Sequence, residues 1–256
     1  MAFEFVDVET ALSRPGLRLV TVGGIPSPWT EAAKGILRVK RLDFAAVRLV
    51  YDDPRLKAMS PRLSAPSLVL DDQRPRTGWA DILLLAERLA PTPSLLPADP
   101  ADRALVFGLS HELCGEHGLA WTRRVQMVHA GLSGAGGFAG RVARYLARKY
   151  GYSPDIGEAA PARVAALLKL FAGRLKQQQA SGSPYLVGAQ LTAADLYCAA
   201  VMTFFRPLPE ERCPMNADTR AAFETRDPQA EAALDPILLA HRDRIYEIYL
   251  ELPVRL

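Results

Sequence analysis

The sequence predicts an α/β unit followed by an all-α unit, and three observations carry that prediction. About the first 90 residues alternate short apolar runs with helical stripes, the pattern of βαβ packing. Pro91-Thr-Pro-Ser-Leu-Leu-Pro-Ala-Asp-Pro100 then sets four prolines in ten residues, which forbids regular structure and marks a linker. Beyond it nearly every stretch has a helical period, including an apolar helix opened by Leu191-Thr192-Ala193-Ala194-Asp195-Leu196. The expected division is therefore 1–92, a linker over 91–100, and an all-helical unit over 101–256.

In the first unit, Leu17 to Val22 is a short apolar strand and Gly23-Gly24-Ile25-Pro26 a turn. Pro28 to Lys40 is a helix, because Ala32, Ala33, Ile36, Leu37 and Val39 form one apolar stripe. Phe44 to Val50 and Ser67 to Leu70 are further strands, with a short edge strand near Arg74 to Arg76. Asp53-Pro54 to Met59 is a short helix or turn, and Ala80 to Leu89 a helix. In the second unit, helices fall at about 101–130, 138–150, 160–178, 193–205 and 235–250. Asp235-Pro236 supplies an N-cap followed by proline at the first helical position. The glycine-rich stretch 131–137 lacks the Gly-Lys-Ser/Thr ending of a phosphate loop and is expected to be a flexible connection.

Thr192 has the chemistry of an N-cap whose hydroxyl accepts from the Asp195 N–H, while the Asp195 carboxylate reaches back to the Thr192 N–H. Leu191 is placed to staple onto Leu196. A helix apolar on all sides is buried, so its terminal donors need partners from its own side chains.

Three places in the first unit could carry chemistry. Ser27-Pro28-Trp29 opens the first long helix, with Ser27 at the N-cap and Pro28 at the first helical position. A helix start presents free N–H groups and the positive dipole end, which favour an anion. A hydroxyl there can donate to a thiolate and lower the thiol pKa. Ala65-Pro66 precedes a strand, where proline is either an ordinary strand-start residue or a cis-proline that turns neighbouring backbone groups toward an extended ligand. Arg76-Thr77-Gly78-Trp79 opens the next helix, whose free N–H groups suit a carboxylate.

Taken in order, the strand, Ser27-Pro28-Trp29, Ala65-Pro66, the proline-rich linker and the capped helix at Thr192 to Asp195 resemble the cytosolic glutathione transferases over roughly residues 17–205. The resemblance implies a thioredoxin-like domain followed by the helical domain of that family, in a homodimer, with glutathione as co-substrate. Ser27 matches the catalytic Ser or Cys of the Ser- and Cys-type classes, Pro66 the cis-proline, and Ala65 the residue whose backbone pairs with the cysteinyl part of glutathione. Thr77-Gly78 stands where the family has Glu-Ser or Gln-Ser to hold the γ-glutamyl carboxylate. Gly78 lacks that hydroxyl, and losing a hydrogen bond to a charged group costs about 1.5–3 kcal/mol. A hydroxyl at Ser27 cannot form a disulfide, which favours thiol activation over thiol exchange. The resemblance places Trp29 in the same glutathione site as well. The electrophile pocket is expected between the domains, with Phe107, His117 and Trp121 as lining candidates and Met127 and His129 nearby.

Composition narrows the alternatives. Hydrophobic residues make up 49% and charged residues 23% of 256, which is globular. A net charge of +3 is too mild for nucleic-acid binding and would suit small anionic ligands. The Met1–Asp7 start has no signal-peptide h-region and no run reaches a membrane span, so a cytoplasmic protein without membrane contact is expected. Cys114, Cys198 and Cys213 have no metal spacing, and His111-Glu112-Leu113-Cys114-Gly115 fails as a zinc motif because Gly115 replaces the second histidine. No metal is expected. Arg141, Arg144, Arg148 and Lys149 form a basic stripe, by default a solvated face. Two functions remain: an enzyme that activates glutathione for attack on a hydrophobic electrophile, and a dimeric binding or regulatory protein with the same fold and weakened glutathione use.

Overall fold

The computed structural model describes residues 3–256. Its sheet has four strands, β1 (Glu4–Phe5), β2 (Leu17–Thr21), β3 (Ala45–Arg48) and β4 (Ser67–Leu70), in the order β1-β3-β2-β4. β2 runs parallel to β3, with Leu19 opposite Ala46, and antiparallel to β4, with Leu19 opposite Leu68. β1 adds in parallel to the outer edge of β3. The expected edge strand near Arg76 is a single bridge to Leu68, made by two backbone hydrogen bonds of 2.8 Å.

Strand alternation divides the sheet between two cores. Leu19, Ala46 and Leu68 pack with side chains of α2 (Pro28–Val39) and α3 (Trp79–Leu89). Val20, Val47 and Val69 pack on the other side with Ala11, Leu56 and Met59. This second face is covered by α1 (Val8–Ser13) and a 3-10 helix at Pro54–Ala58. β1 and α1 were not expected: two and six residues are too short for a period to show. α1 is fixed by its cap, the Asp7 carboxylate accepting from the Thr10 N–H at 2.7 Å.

Residues 91–99 have no regular structure, yet they are held firmly. Buried Lys40 ion-pairs with Glu87 and donates to the carbonyls of Ala90 and Pro93 at 2.9 and 2.7 Å. Glu87 in turn accepts from the Leu95 N–H at 2.8 Å, and Leu95 and Leu96 are buried.

From Pro100 onward the chain is helical: α4 (Pro100–Cys114), α5 (Leu119–Ser133), α6 (Gly140–Lys149), α7 (Pro154–Ala180), α8 (Ala193–Met202), α9 (Ala217–Glu224), α10 (Pro228–Ala233) and α11 (Pro236–Tyr249). The single helix expected over 101–130 is two, broken at 115–118, where His117 takes the left-handed φ of +61°. Of the stretch 131–137, residues 131–133 complete α5 and the rest is a tight turn rather than a loose connection: at Gly137, with φ +74°, a Cβ would lie 2.2 Å from the Met127 carbonyl oxygen. α7 starts earlier than expected because Ser153 caps it and Pro154 holds its first position. α9 and α10 are short capped helices, on Asn216 and Asp227, that were not expected.

α8 is buried along its whole length and packs against α2, α4 and α11. Its capping box is formed. The Asp195 carboxylate accepts from the backbone N–H groups of Leu186 and Thr192, both at 2.8 Å, and from the Thr192 hydroxyl at 2.9 Å. One helix thus satisfies its own buried end and carries α2, the helix that Ser27 begins.

Candidate functional site

A cavity of about 420 Å³ opens between the strand-bearing region and the helices α4, α5 and α6. One wall is Trp29 at the start of α2, Ser64-Ala65-Pro66 before β4, and Thr77 before α3. The Ala65–Pro66 peptide is cis. The opposite wall is Cys114, Gly115 and Glu116 at the end of α4, Trp121 on α5, and Lys149, Tyr150 and Gly151 at the end of α6.

Local sequence explains the first wall. Ser27 is the N-cap of α2 and Pro28 its first residue, as their order predicts, but the Ser27 hydroxyl caps no backbone N–H. Pro28 has no N–H, so the free donors at this helix start are the amides of Trp29 and Thr30. Trp29 is fixed by its indole N–H, which donates to the Cys114 carbonyl at 2.8 Å and ties the two walls together. The Arg124 guanidinium lies 4.9 Å from the Trp29 ring and donates to the Tyr150 hydroxyl at 3.1 Å. Lys149 Nζ donates to Ser64 Oγ at 2.9 Å. Desolvation, and after it the Arg124 charge, hold the Lys149 pKa below its ordinary value.

Of the residues expected at a site, Trp29, Ala65, Pro66, Thr77 and Trp121 share this cavity. The others border it or lie away from it. Ser27 is buried immediately before Trp29 and Pro28. Gly78 is the N-cap of α3, beside Thr77, and offers no side-chain cap. His117 packs on Trp121 with ring centroids 4.6 Å apart. Phe107 packs on Trp79 instead, at 6.2 Å. Sequence reasoning missed Ser64, Cys114, Glu116 and Tyr150 as wall residues. It saw Lys149 only as the end of a basic stripe. The signal was spacing: Lys149 lies four residues after Tyr145, on a different row from Arg141, Arg144 and Arg148. Among the described residues no group of three or more His, Cys, Asp or Glu side chains is placed to hold a metal. No described helix is long and apolar enough to cross a membrane.

The chain matches no protein-family model, and no curated protein matches it in sequence. Solved structures do match it. A glutathione S-transferase from Xanthobacter autotrophicus shares 21% identity, with 93% of this chain and 96% of that one covered and a TM-score of 0.58. The chain has the glutathione transferase fold. A Pseudomonas putida glutathione transferase, with one glutathione disulfide bound per subunit, aligns at 14% identity over 94% and 92% of the chains with a TM-score of 0.63. A Methylobacterium radiotolerans glutathione S-transferase, in complex with glutathione sulfonate, aligns at 20% identity over 91% of each chain with a TM-score of 0.56. In this fold, β2, α2, β3, β4 and α3 form the thioredoxin-like part, and β1 and α1 extend it at the β3 edge.

Proposed function

We propose that the chain binds glutathione in the 420 Å³ cavity and activates its thiol for attack on a hydrophobic electrophile. The observation that carries this proposal is the convergence of Trp29, Ala65, cis-Pro66 and Thr77, from three separate segments, on one cavity closed by Trp121 and Tyr150. The backbone of Ala65 pairs with the cysteinyl part of the tripeptide. Thr77 and the free amides at the start of α3, beside Gly78, take the γ-glutamyl carboxylate. The thiol lies at the start of α2, where the helix end and the uncommitted Ser27 hydroxyl stabilise the thiolate. The thiolate then attacks an electrophilic carbon, the leaving group departs with the bonding pair, and the thiol proton passes to solvent. Trp121 lines the acceptor side with His117 packed on it, while Phe107, which packs on Trp79, is given no part in it. The residues divide at the linker over 91–100, and the unit is a cytoplasmic homodimer.

A second function has an observation in its favour. Gly78 offers no hydroxyl and the Ser27 side chain is buried, which suits a dimeric binding protein that uses glutathione weakly or not at all. Calorimetric titration with glutathione, beside conjugation of 1-chloro-2,4-dinitrobenzene, separates the two. The enzyme binds glutathione below millimolar concentration and forms the conjugate. No heat at millimolar glutathione ends the enzyme proposal. Unchanged turnover in Ser27→Ala ends only the role given to Ser27.

A further inference from the structure

Beside the glutathione cavity lies an open surface depression of about 500 Å³, lined by Arg141, Arg144, Tyr145, Arg148 and Lys149, all on α6. Lys149 lines both, so the two share a wall. Arg141, Arg144 and Arg148 follow one another at helical spacing and form one exposed row.

This row has no compensating charge. Residues 117–154 contain Arg123, Arg124, Arg141, Arg144, Arg148 and Lys149 but no Asp or Glu. Among the described residues none of the four α6 cations forms an ion pair. Elsewhere in the helical region some arginines are matched, Arg163 with Glu112, Arg206 with Glu231 and Arg220 with Glu210, but among the described residues no other helix sets an unmatched row of three. Like charges on successive turns repel one another, and among the described residues no acid pairs with them to offset it. Tyr145, on the same wall, meets Tyr51 edge to face at 5.6 Å, and both rings are half exposed. An aromatic surface thus stands beside the cations.

We infer that the acceptor is an aromatic electrophile bearing an acidic group, a carboxylate or sulfonate, held by Arg141, Arg144 and Arg148 while its ring reaches the thiolate. The inference rests on the glutathione reading above and names its substrate class. Adjacency gives it geometry: Lys149 belongs to both linings, so an anion on α6 sits at the edge of the glutathione cavity. The cations also draw an anionic acceptor toward the mouth of the site.

The test uses a matched pair of acceptors, 1-chloro-2,4-dinitrobenzene and 4-chloro-3,5-dinitrobenzoate. In each the glutathione sulfur forms a bond to the ring carbon, the C–Cl bond breaks, chloride leaves with the pair and the thiol proton goes to solvent. Kinetics compare wild type with Arg141→Gln/Arg144→Gln/Arg148→Gln. Calorimetry of the two finished S-aryl conjugates provides a readout that needs no turnover. The wild type is expected to favour the benzoate by about tenfold in kcat/KM and in conjugate affinity, the size of one hydrogen bond to a charged group. Added salt should shrink that preference, and the triple variant should abolish it with the KM for glutathione unchanged. Equal preference in wild type and variant overturns the inference and leaves α6 a solvated face. If neither conjugate nor glutathione binds, the glutathione reading itself falls and takes the inference with it.

Discussion

Oδ1 of Asp195 lies 3.4 Å from Nε2 of His241, and both side chains are buried in the helical core. Desolvation raises the Asp195 pKa to about 6, against the hydrogen bonds from Leu186 and Thr192 that lower it. Desolvation lowers the His241 pKa to about 4. The linked effects on stability have opposite signs. Asp195 binds its proton more tightly when folded, so its contribution is full at low pH and is lost as pH rises toward 6. His241 binds its proton less tightly when folded, so its contribution is lost as pH falls toward 4. Between pH 4 and 6 the two offset each other.

Removing one partner exposes the other. Relative to wild type, His241→Gln should lose stability as pH rises from 4 to 6, at a slope approaching about 1.4 kcal/mol per pH unit. Asp195→Asn should gain stability over pH 4 to 6.5, starting from a lower base because an amide leaves only one oxygen for the two N–H donors of Leu186 and Thr192. Urea unfolding midpoints across this range give the comparison. Parallel curves for all three proteins would show that the pair does not titrate there.

Gly35, in the middle of α2, sets how closely that helix meets the chain after α11. A Cβ on Gly35 would lie 2.3 Å from Leu250 Cδ2. In an open helix Gly→Ala stabilises by about 1 kcal/mol, but here overpacking of about 1–3 kcal/mol opposes it. Gly35→Ala is therefore expected to destabilise, and Gly35→Ala/Leu250→Ala to be more stable than the sum of the single changes. A double-mutant cycle by denaturant unfolding measures that coupling. An additive cycle would mean that the two residues do not constrain each other.

What sequence made legible follows from the range of each interaction. Caps are local, so Ser27, Asp235 and Thr192 could be placed at their helix starts before any packing was known. The strands β2, β3 and β4 were legible from short apolar runs, whereas β1 owes its existence to an edge offered by β3, which no local pattern records. The helix break at 115–118 was hidden because α4 and α5 both have helical periods on either side. At the site, Ala65, Pro66 and Trp29 could be named from their own neighbourhoods. Lys149 and Tyr150 could not, because only the packing of α6 against Ser64 brings them to the cavity. Nor could the pairing of Asp195 with His241, which are 46 residues apart in sequence.

The three cysteines are all free and buried. Burial raises the thiol pKa of Cys114 and Cys198, and that of Cys213 to about 12. Since the thiolate is the reactive form, native protein at pH 8 should react with a thiol-specific disulfide reagent at least about a hundredfold more slowly than the urea-unfolded chain. Colour yield should reach three thiols per chain only on unfolding. Fast release of one equivalent from native protein would identify an activated thiol; Cys114, on the cavity wall, would be the first to replace.

Gly78 offers a direct trial of the place proposed for the carboxylate of glutathione. Gly78 is the N-cap of α3 and has no side chain to cap it or to hold a ligand. A Cβ there would meet Asp81 first, 3.0 Å from its Oδ2, at the movable end of an exposed side chain. Serine therefore fits once Asp81 turns outward, and its hydroxyl adds one donor to the free amides at the helix start. The expected gain in glutathione affinity is about ten- to hundredfold, the value of a hydrogen bond to a charged group. The Asp81 carboxylate already sits at the positive end of α3, where it opposes a second anion, so Gly78→Ser/Asp81→Asn should bind more tightly still. Calorimetry with glutathione on the four proteins of this cycle gives both numbers. If Gly78→Ser leaves the affinity unchanged, the γ-glutamyl carboxylate does not lie at the start of α3.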